Sequence, residues 1–531
     1  MRTKNVAMWA ALLALPVAAG AFIRQSQQAA DGARLFSQVL QRIEDNAVDS
    51  LTRSAIYEKA ARGLVKNLQD PYADLYSPEE LASFQRNTLR NDYAGLGMQI
   101  EQQDDQIVVR QVFPNTPAAG GGLMPGDHII MIDTSSTIGW RTQQVSERLI
   151  GKPGTQVDVT VRRVGVPQPI KGRFTRAVIR VPAVPYTLVL DGGVGYIPLQ
   201  AFNNSASEDI AKALVSLRSR GVRSYVIDLR GNGGGALDQA LDISNLFLRP
   251  GQEISSVRHR GRQPEVYHAN RPAPVIDSMP VVVLVDGASA SASEIVAGSL
   301  QDHDRALVVG TTSFGKGLVQ TLFPLDGGWA VKLTTGKWYT PSGRSIQSEH
   351  ERLDDDRFVE YSGDSLAKGA DSATRRPVFK SDAGRTIYGG GGITPDLIVT
   401  PDSADAAERE LGRAVAPTIQ AWITTLNAYS VEKKPELKTD FTVTQAMRDE
   451  FFNRLMRAKV GITRAQFDAA QAAVDRMLER EMTRWAFGDS TWLRRSIRYD
   501  QQLAAALGLL KQGPTQRQLL ALAASREKPG Q

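Results

Sequence analysis

VVVLVDGASASASEIVAGSL, residues 281–300, reads as a strand, a turn and the start of a helix. Five consecutive aliphatic residues, Val281 to Val285, suit a strand buried on both faces. Asp286-Gly287-Ala288 turns the chain, and Ser289-Ala290-Ser291-Ala292-Ser293-Glu294 leads into the apolar helical stretch Ile295 to Leu300. Such a junction holds a hydroxyl at a rigid apex, where free N–H groups and the positive helix end favour a developing negative charge. A serine that merely caps the helix, with Glu294 as a first-turn charge, accounts for the same pattern. Downstream, Thr311-Thr312-Ser313-Phe314-Gly315-Lys316-Gly317 sets one lysine between two glycines, so backbone can approach closely while the amine enters a restricted space. A lysine acts as a base only when neutral. From its ordinary pKa of about 10.4, service near pH 7 to 8 needs roughly 3 to 4 kcal/mol of desolvation and positive surroundings. The phosphate-loop pattern G-x-x-x-x-G-K-[ST] is not matched, because Gly317 follows the lysine.

Outward from this segment, βα alternation begins at Gly192: strands at 194–197 and 224–229 flank an amphipathic helix at 208–219. The second strand runs into Asp228-Leu229-Arg230-Gly231-Asn232-Gly233-Gly234-Gly235, a glycine loop able to present backbone N–H groups. Between Tyr93 and about Ile179 the period is two, with Ile107 and Val109 opposite Val108 and Arg110. Turns at Pro125-Gly126-Asp127 and Gly151-Lys152-Pro153-Gly154 and a helical segment Thr142 to Ile150 divide these strands. Residues 30–90 show helical spacing at Leu35, Val39, Leu40 and Ile43 and again at Ile56, Ala60, Leu64 and Leu68, predicting an all-helical lead-in. After Pro401, Trp422, Leu426, Phe451, Leu455, Trp485, Leu503 and Leu507 fall at helical spacings and read as core positions. Residues 347–383 form a polar insertion, predicted to be a mobile surface loop with Val378 and Phe379 as its anchors.

At 531 residues, 42% hydrophobic and 23% charged, the chain is globular and multidomain. The net charge of +6 falls mainly in amphipathic C-terminal helices of alternating sign, which indicates solvated faces and not a nucleic-acid surface. The absence of cysteine excludes disulfides, thiolate catalysis and zinc-thiolate sites. There is no His-Glu-x-x-His and no paired carboxyl-and-histidine cluster, so neither a metal nor a cofactor is expected. Of five histidines, His303 is the only conceivable partner for Ser291; between Asp302 and Asp304 at a helix end it reads as solvated. Arg2 and Lys4 precede an uncharged apolar run from Val6 to Ile23, with Ala19, Gly20 and Ala21 as a cleavage pattern. This predicts a secretory signal peptide or a retained membrane anchor, and work in the periplasm or cell envelope.

Two resemblances follow. Gly95-Leu96-Gly97-Met98, with Leu123 to Ile130 and the helical segment after it, resembles a PDZ domain. Such a carboxylate loop offers consecutive N–H groups to a peptide terminus, and the groove beside it takes the peptide as an added strand. Over about 310 residues the order PDZ, Ser-Ala-Ser-Ala-Ser-Glu, Phe-Gly-Lys-Gly-x-Val-Gln, Tyr-Thr-Pro-Ser-Gly-Arg-Ser-Ile-Gln (339–347) and Gly-Gly-Ile-x-Pro-Asp (391–396) resembles the C-terminal processing peptidases, or tail-specific proteases. The resemblance implies Ser291 as nucleophile, Lys316, 25 positions on, as general base, and Gln320 to orient the amine. Ser289 and Ser293 become supporting residues. It also implies oxyanion donors at the amides of Ala292 and Gly234, although departures from the family loop at Gly231 and Gly233 leave Gly233 open as the alternative. The implied fold is multidomain α/β plus PDZ: signal or anchor (1–22), helical N-terminal region (23–90), PDZ β-sandwich-like domain (91–178), Clp-protease/crotonase-like α/β peptidase core (179–402) and helical C-terminal region (403–531). The implied function is a secreted Ser-Lys endopeptidase that captures protein substrates by exposed apolar C-termini. It would use no cofactor, and would assemble as a homo-oligomer through its terminal helices, with an adaptor as a further partner. An inactive PDZ scaffold, or a Ser-Lys hydrolase of small amides or esters, stands as the alternative.

Overall fold

The computed structural model describes residues 30–526, except 50, 69, 86–91, 104, 165, 273–274, 276–277, 349, 353–357, 361–375 and 402–403. The expected signal segment and much of the polar insertion at 347–383 lie outside the described residues. The chain divides into two units, one of residues up to Pro78 with Gln320–Thr334, the other of Glu79–Val319 with Thr335–Gln531.

In the larger unit a six-stranded sheet runs in the order Leu188–Leu190, Val194–Pro198, Ser224–Asp228, Val281–Val285, Leu307–Gly310, Leu397–Ile398. The first pair is antiparallel and the rest are parallel. Every residue of the four central strands is buried. Alternate side chains leave a strand on opposite faces, so uninterrupted aliphatic runs require cover on both. On one face Tyr225, Ile227, Val281, Val283 and Val285 pack with the helices Ala206–Ser219, Leu237–Ser244 and Ala292–Asp302. On the other, Val226, Val282, Leu284, Leu307 and Val309 pack with Leu503, Leu509 and Leu519 of the helices Gln501–Gln512 and Gln516–Arg526. The last two helices are therefore a layer of the core sheet. The sequence placed their apolar faces against another copy of the chain; they are consumed within it. Trp422, Leu426, Phe451, Leu455, Phe467 and Leu478 close a further core between the preceding helices.

The PDZ-like sheet follows the order Met98–Gln103, Gln106–Val112, His128–Ile132, Gln156–Arg162, Ile170–Thr175. Ile107 and Val109 face its own core with Leu96, Met98, Val145 and Leu149. The opposite face of the same strand sends Val108 to Val431 and Trp485 of the C-terminal helices. Arg110 beside it reaches Glu481 at 3.2 Å and lies 4.4 Å over the Trp485 ring. The strand's alternation therefore serves two contacts, an inner core and a docking face.

The smaller unit corrects the all-helical lead-in. Besides a helix over 30–46 and the helix Arg53–Lys66, the strand Asp74–Tyr76 pairs antiparallel with residues 330–332. Three residues are too few to show a period. Leu35, Phe36, Val39 and Ile43 of the first helix are all exposed. After the insertion, Val378–Lys380 pairs with Thr386–Tyr388, leaving Val378 60% exposed and not an anchor.

This layering makes the C-terminal helices a condition of folding. Leu509→Ala is expected to destabilise the chain by about 2–5 kcal/mol in urea denaturation, and Ile423→Ala, half exposed, by under about 0.5 kcal/mol. A chain ending at Gly488 bares the sheet's second face and is expected to aggregate.

Candidate active site

Ser291 stands directly before the helix Ala292–Asp302, at φ 56° and ψ −112°. A positive φ is costly for a residue with a Cβ, by about 1–3 kcal/mol, and persists only where neighbours impose it. The neighbours here are specific. Ser289 Oγ donates to Leu229 O at 2.8 Å and accepts from the Asp286 amide at 2.9 Å, while Ser293 Oγ donates to Asn232 O at 2.8 Å. The two flanking serines thus brace the glycine loop that follows Ser224–Asp228. The amide of Ala290 also donates to Asn232 O, at 3.0 Å.

The organising group is Glu294, fully buried. Its Oε2 accepts from the Ser291 amide at 2.7 Å and from the Lys316 amide at 2.9 Å. Its Oε1 accepts from Ser313 Oγ at 2.6 Å and from the Gly315 amide at 2.7 Å. One carboxylate therefore ties the backbone of the serine segment to that of the lysine segment, 22 residues on. Burial pushes its pKa up to about 7, against the pull of the four donors. In the sequence this residue reads as an ordinary first-turn charge; nothing local reports its burial.

The lysine segment is as close to its neighbours as its glycines suggested. A Cβ on Gly315, at φ 87°, would meet Ser348 Oγ at 2.2 Å, and one on Gly317 would meet the Gln347 nitrogen at 2.9 Å. The Phe314 amide donates to Ser289 O at 3.0 Å, and Lys316 O accepts from the buried Trp338 indole at 2.9 Å. Gln320 belongs to the other unit; its Nε2 is buried without a hydrogen-bond partner among the described residues.

Gly234 lies against the serine. A Cβ there would stand 2.9 Å from both the Ala292 nitrogen and Ser291 Cβ, so its absence keeps the space before the Ala292 amide open. That amide begins a helix, where N–H groups lack intrahelical partners. Gly234's own amide, however, donates to Asn232 Oδ1 at 2.9 Å, and a Cβ on Gly233 would meet nothing within 4 Å. Gly234 is thus the glycine against the serine, with its own amide already engaged by Asn232.

The two downstream motifs hold the other end of the helix. Arg344, with its side chain wholly buried, donates to Gln301 Oε1 at 2.6 Å, Asp302 Oδ1 at 2.7 Å and Tyr388 O at 2.7 Å. Asp396 accepts from Gln301 Nε2 at 2.9 Å and pairs with Arg385. These cations offset the unfavourable carboxylates at the helix's negative end. His303 is not solvated, as its charged neighbours suggested: its ring meets Asp382 Oδ2 at 2.8 Å and Glu253 O at 2.7 Å, with the side chain 8% exposed. At the far end of an 11-residue helix, roughly 16 Å long, it is no partner for Ser291. Among the described residues no cluster suits a metal.

In the PDZ-like domain, Gly97 at φ 84° fits against Thr116, and its carbonyl accepts from the Phe113 amide at 2.9 Å. Leu96 and Met98 point into the domain core, so Gly95 to Met98 present backbone rather than side chains.

A carboxyl that titrates near 7 in the fold and near 4.5 unfolded binds its proton more tightly in the native state. Its contribution to stability is complete below pH 4.5 and is lost as pH rises through 7, by about 3 kcal/mol. Glu294→Gln, which cannot ionise, is expected to remove that fall between pH 5 and 8 in denaturant titrations. It is also expected to lower turnover at least about 100-fold at pH 8, since its amide faces backbone donors with a donor.

Comparison with known proteins matches a peptidase family S41 model to residues 193–356 and a PDZ domain model to residues 94–171. The chain is 37% identical over 316 residues to a carboxy-terminal-processing protease of Bartonella bacilliformis, covering 59% of this chain and 72% of that one. It is 34% identical over 294 residues to the carboxy-terminal processing protease CtpA of Bacillus subtilis, covering 55% and 62%. Among solved structures, a photosystem II D1 C-terminal processing protease is similar at 28% identity with a TM-score of 0.35, over 58% of this chain and 83% of that one. With its PDZ domain and peptidase core, this chain belongs to the carboxy-terminal processing proteases, serine-type enzymes of peptidase family S41.

Proposed function

We propose that the chain is a Ser-Lys endopeptidase that takes hold of a protein substrate by its C-terminus and cleaves near it. The observation that supports this best is the shared Glu294 carboxylate, bound by the amides of both Ser291 and Lys316. Ser291 Oγ attacks the scissile carbonyl, and Lys316, neutral at the moment of attack, takes the hydroxyl proton and later returns it to the leaving amine. The Ala292 amide and one from Gly233 or Gly234 receive the oxyanion. Gln320, four positions after Lys316, orients the lysine amine, as the resemblance implies. Gly95 to Met98 receive the terminal carboxylate on backbone N–H groups, and Met98–Gln103, an edge strand, accepts the tail as its neighbour. The basic and apolar N-terminal segment directs the enzyme out of the cytoplasm. The exposed face of Leu35, Phe36, Val39 and Ile43 pairs with a second copy.

Ser291→Ala, Lys316→Ala and Lys316→Arg are each expected to abolish proteolysis while leaving urea denaturation unchanged, the arginine because it stays charged. Substantial turnover by Lys316→Ala would remove the lysine from the mechanism. Substrates with free apolar C-termini are expected to be cut faster than amidated ones, as measured by product mass; equal rates would exclude the PDZ domain from substrate choice.

A further inference from the structure

The glycine loop has four glycines among residues 231–235, with Gly231 at φ 72°, Gly234 at φ 95° and Gly235 at φ 148°. Such backbone has the most conformations to lose, so its shape must come from its anchors. Asn232 anchors the middle, its Nδ2 donating to Leu199 O at 2.7 Å. Gly235 pairs with Phe202 at the far end. The near end is fixed by Arg230, all of whose guanidinium N–H groups are used. Nε and Nη2 donate to Asp228 at 2.9 and 2.6 Å, and Asp228 in turn accepts from Tyr196 OH at 2.7 Å. Nη1 and Nη2 reach Asp500 Oδ1 and Oδ2 at 2.9 and 2.8 Å, and Nη1 reaches Gln502 Oε1 at 3.1 Å.

Asp500 and Gln502 lie in the C-terminal region, outside the residues matched by either family model. Asp500 is itself well placed: it caps the helix Gln501–Gln512 through the Leu503 amide at 3.0 Å. Just before it, Arg495, Arg498 and Tyr499 all converge on the buried carboxylate of Glu479. Gln502 Nε2 donates to Val399 O at 2.8 Å. Arg230 and Asp500 have side chains only 19% and 18% exposed, so the forked pair is shielded from water.

We propose that Asp500 is a positioning residue for the oxyanion loop, setting Gly231 to Gly235 through its two-pronged contact with Arg230. The peptidase core thereby depends on the C-terminal helices for the geometry of its transition state as well as for its second covering layer. This rests on the reading of Ser291 as nucleophile with an oxyanion donor from this loop. If Asp500 acts on the oxyanion, its loss weakens the transition state and leaves ground-state binding alone.

The test uses the full chain with Asp500→Asn and Asp500→Ser. Both keep a good helix cap, while the first loses the charge and the second the reach to Arg230. Each is expected to lower kcat on an internally quenched peptide about 10- to 100-fold, with KM within about threefold. Inhibition by a peptide aldehyde, whose serine adduct carries the oxyanion, is expected to weaken by the same factor. Asp500→Glu is expected to recover part of the rate. Unchanged kcat, a loss in KM alone, or aldehyde affinity equal to the parent's would overturn the proposal, as would unfolding of both variants, which would assign Asp500 to stability only. A parent-like rate in Ser291→Ala would instead overturn the nucleophile assignment on which the proposal stands.

Discussion

A single buried carboxylate, that of Glu294, joins the two chain segments on which the chemistry is proposed to rest. Its four donors are three backbone amides and one hydroxyl, all within 2.6–2.9 Å. Taking a carboxylate out of water is expensive, and burial raises its pKa to about 7 against the pull of the four donors. What the fold gains is register. Main-chain atoms are held directly, so the serine and lysine segments cannot slide independently, and the strained backbone of Ser291 is kept in place.

The remaining parts of the larger unit hold this joint from outside. Ser289 and Ser293 fasten the glycine loop to the serine segment. Arg344 and Asp396 hold the other end of the Ala292–Asp302 helix, so a motif distant in sequence fixes the axis along which the helix presents its first residue. The C-terminal helices cover the sheet from behind and reach the glycine loop through Asp500. The same region receives the outer face of the PDZ strand through Val108 and Arg110. A region that composition presents as an appended helical tail is thus in contact with both functional domains.

The legible part of this protein is local. The Val281 to Val285 run announced a doubly covered strand, the alternation at Ile107 to Arg110 announced short half-buried strands, and the glycines about Lys316 announced close backbone packing. Each rests on a period or a residue's intrinsic geometry, whereas the PDZ reading rested on the resemblance of Gly95 to Met98 and Leu123 to Ile130. What was not legible depends on contacts across the chain. The burial of Glu294, the partners of His303 and the use of Leu503 and Leu519 as sheet cover are set by residues tens to hundreds of positions away. Asp74–Tyr76 was missed because a three-residue strand has no period, and Val378 was misread because an isolated apolar residue looks like an anchor wherever it falls. The glycine loop shows the limit most clearly. Its sequence promised free N–H groups, but the engagement of Gly234 with Asn232 depends on a side chain whose rotamer no pattern reports.

The central claim is that Glu294 is fully buried between the two segments and that this burial raises its proton affinity. Carbon-13 NMR of protein labelled at the glutamate carboxyl carbon, with Glu294→Gln to assign the signal, measures this directly. The account predicts one glutamate titrating near pH 7, well apart from the rest. A Glu294 signal titrating near 4.5, with the solvated glutamates, would contradict it.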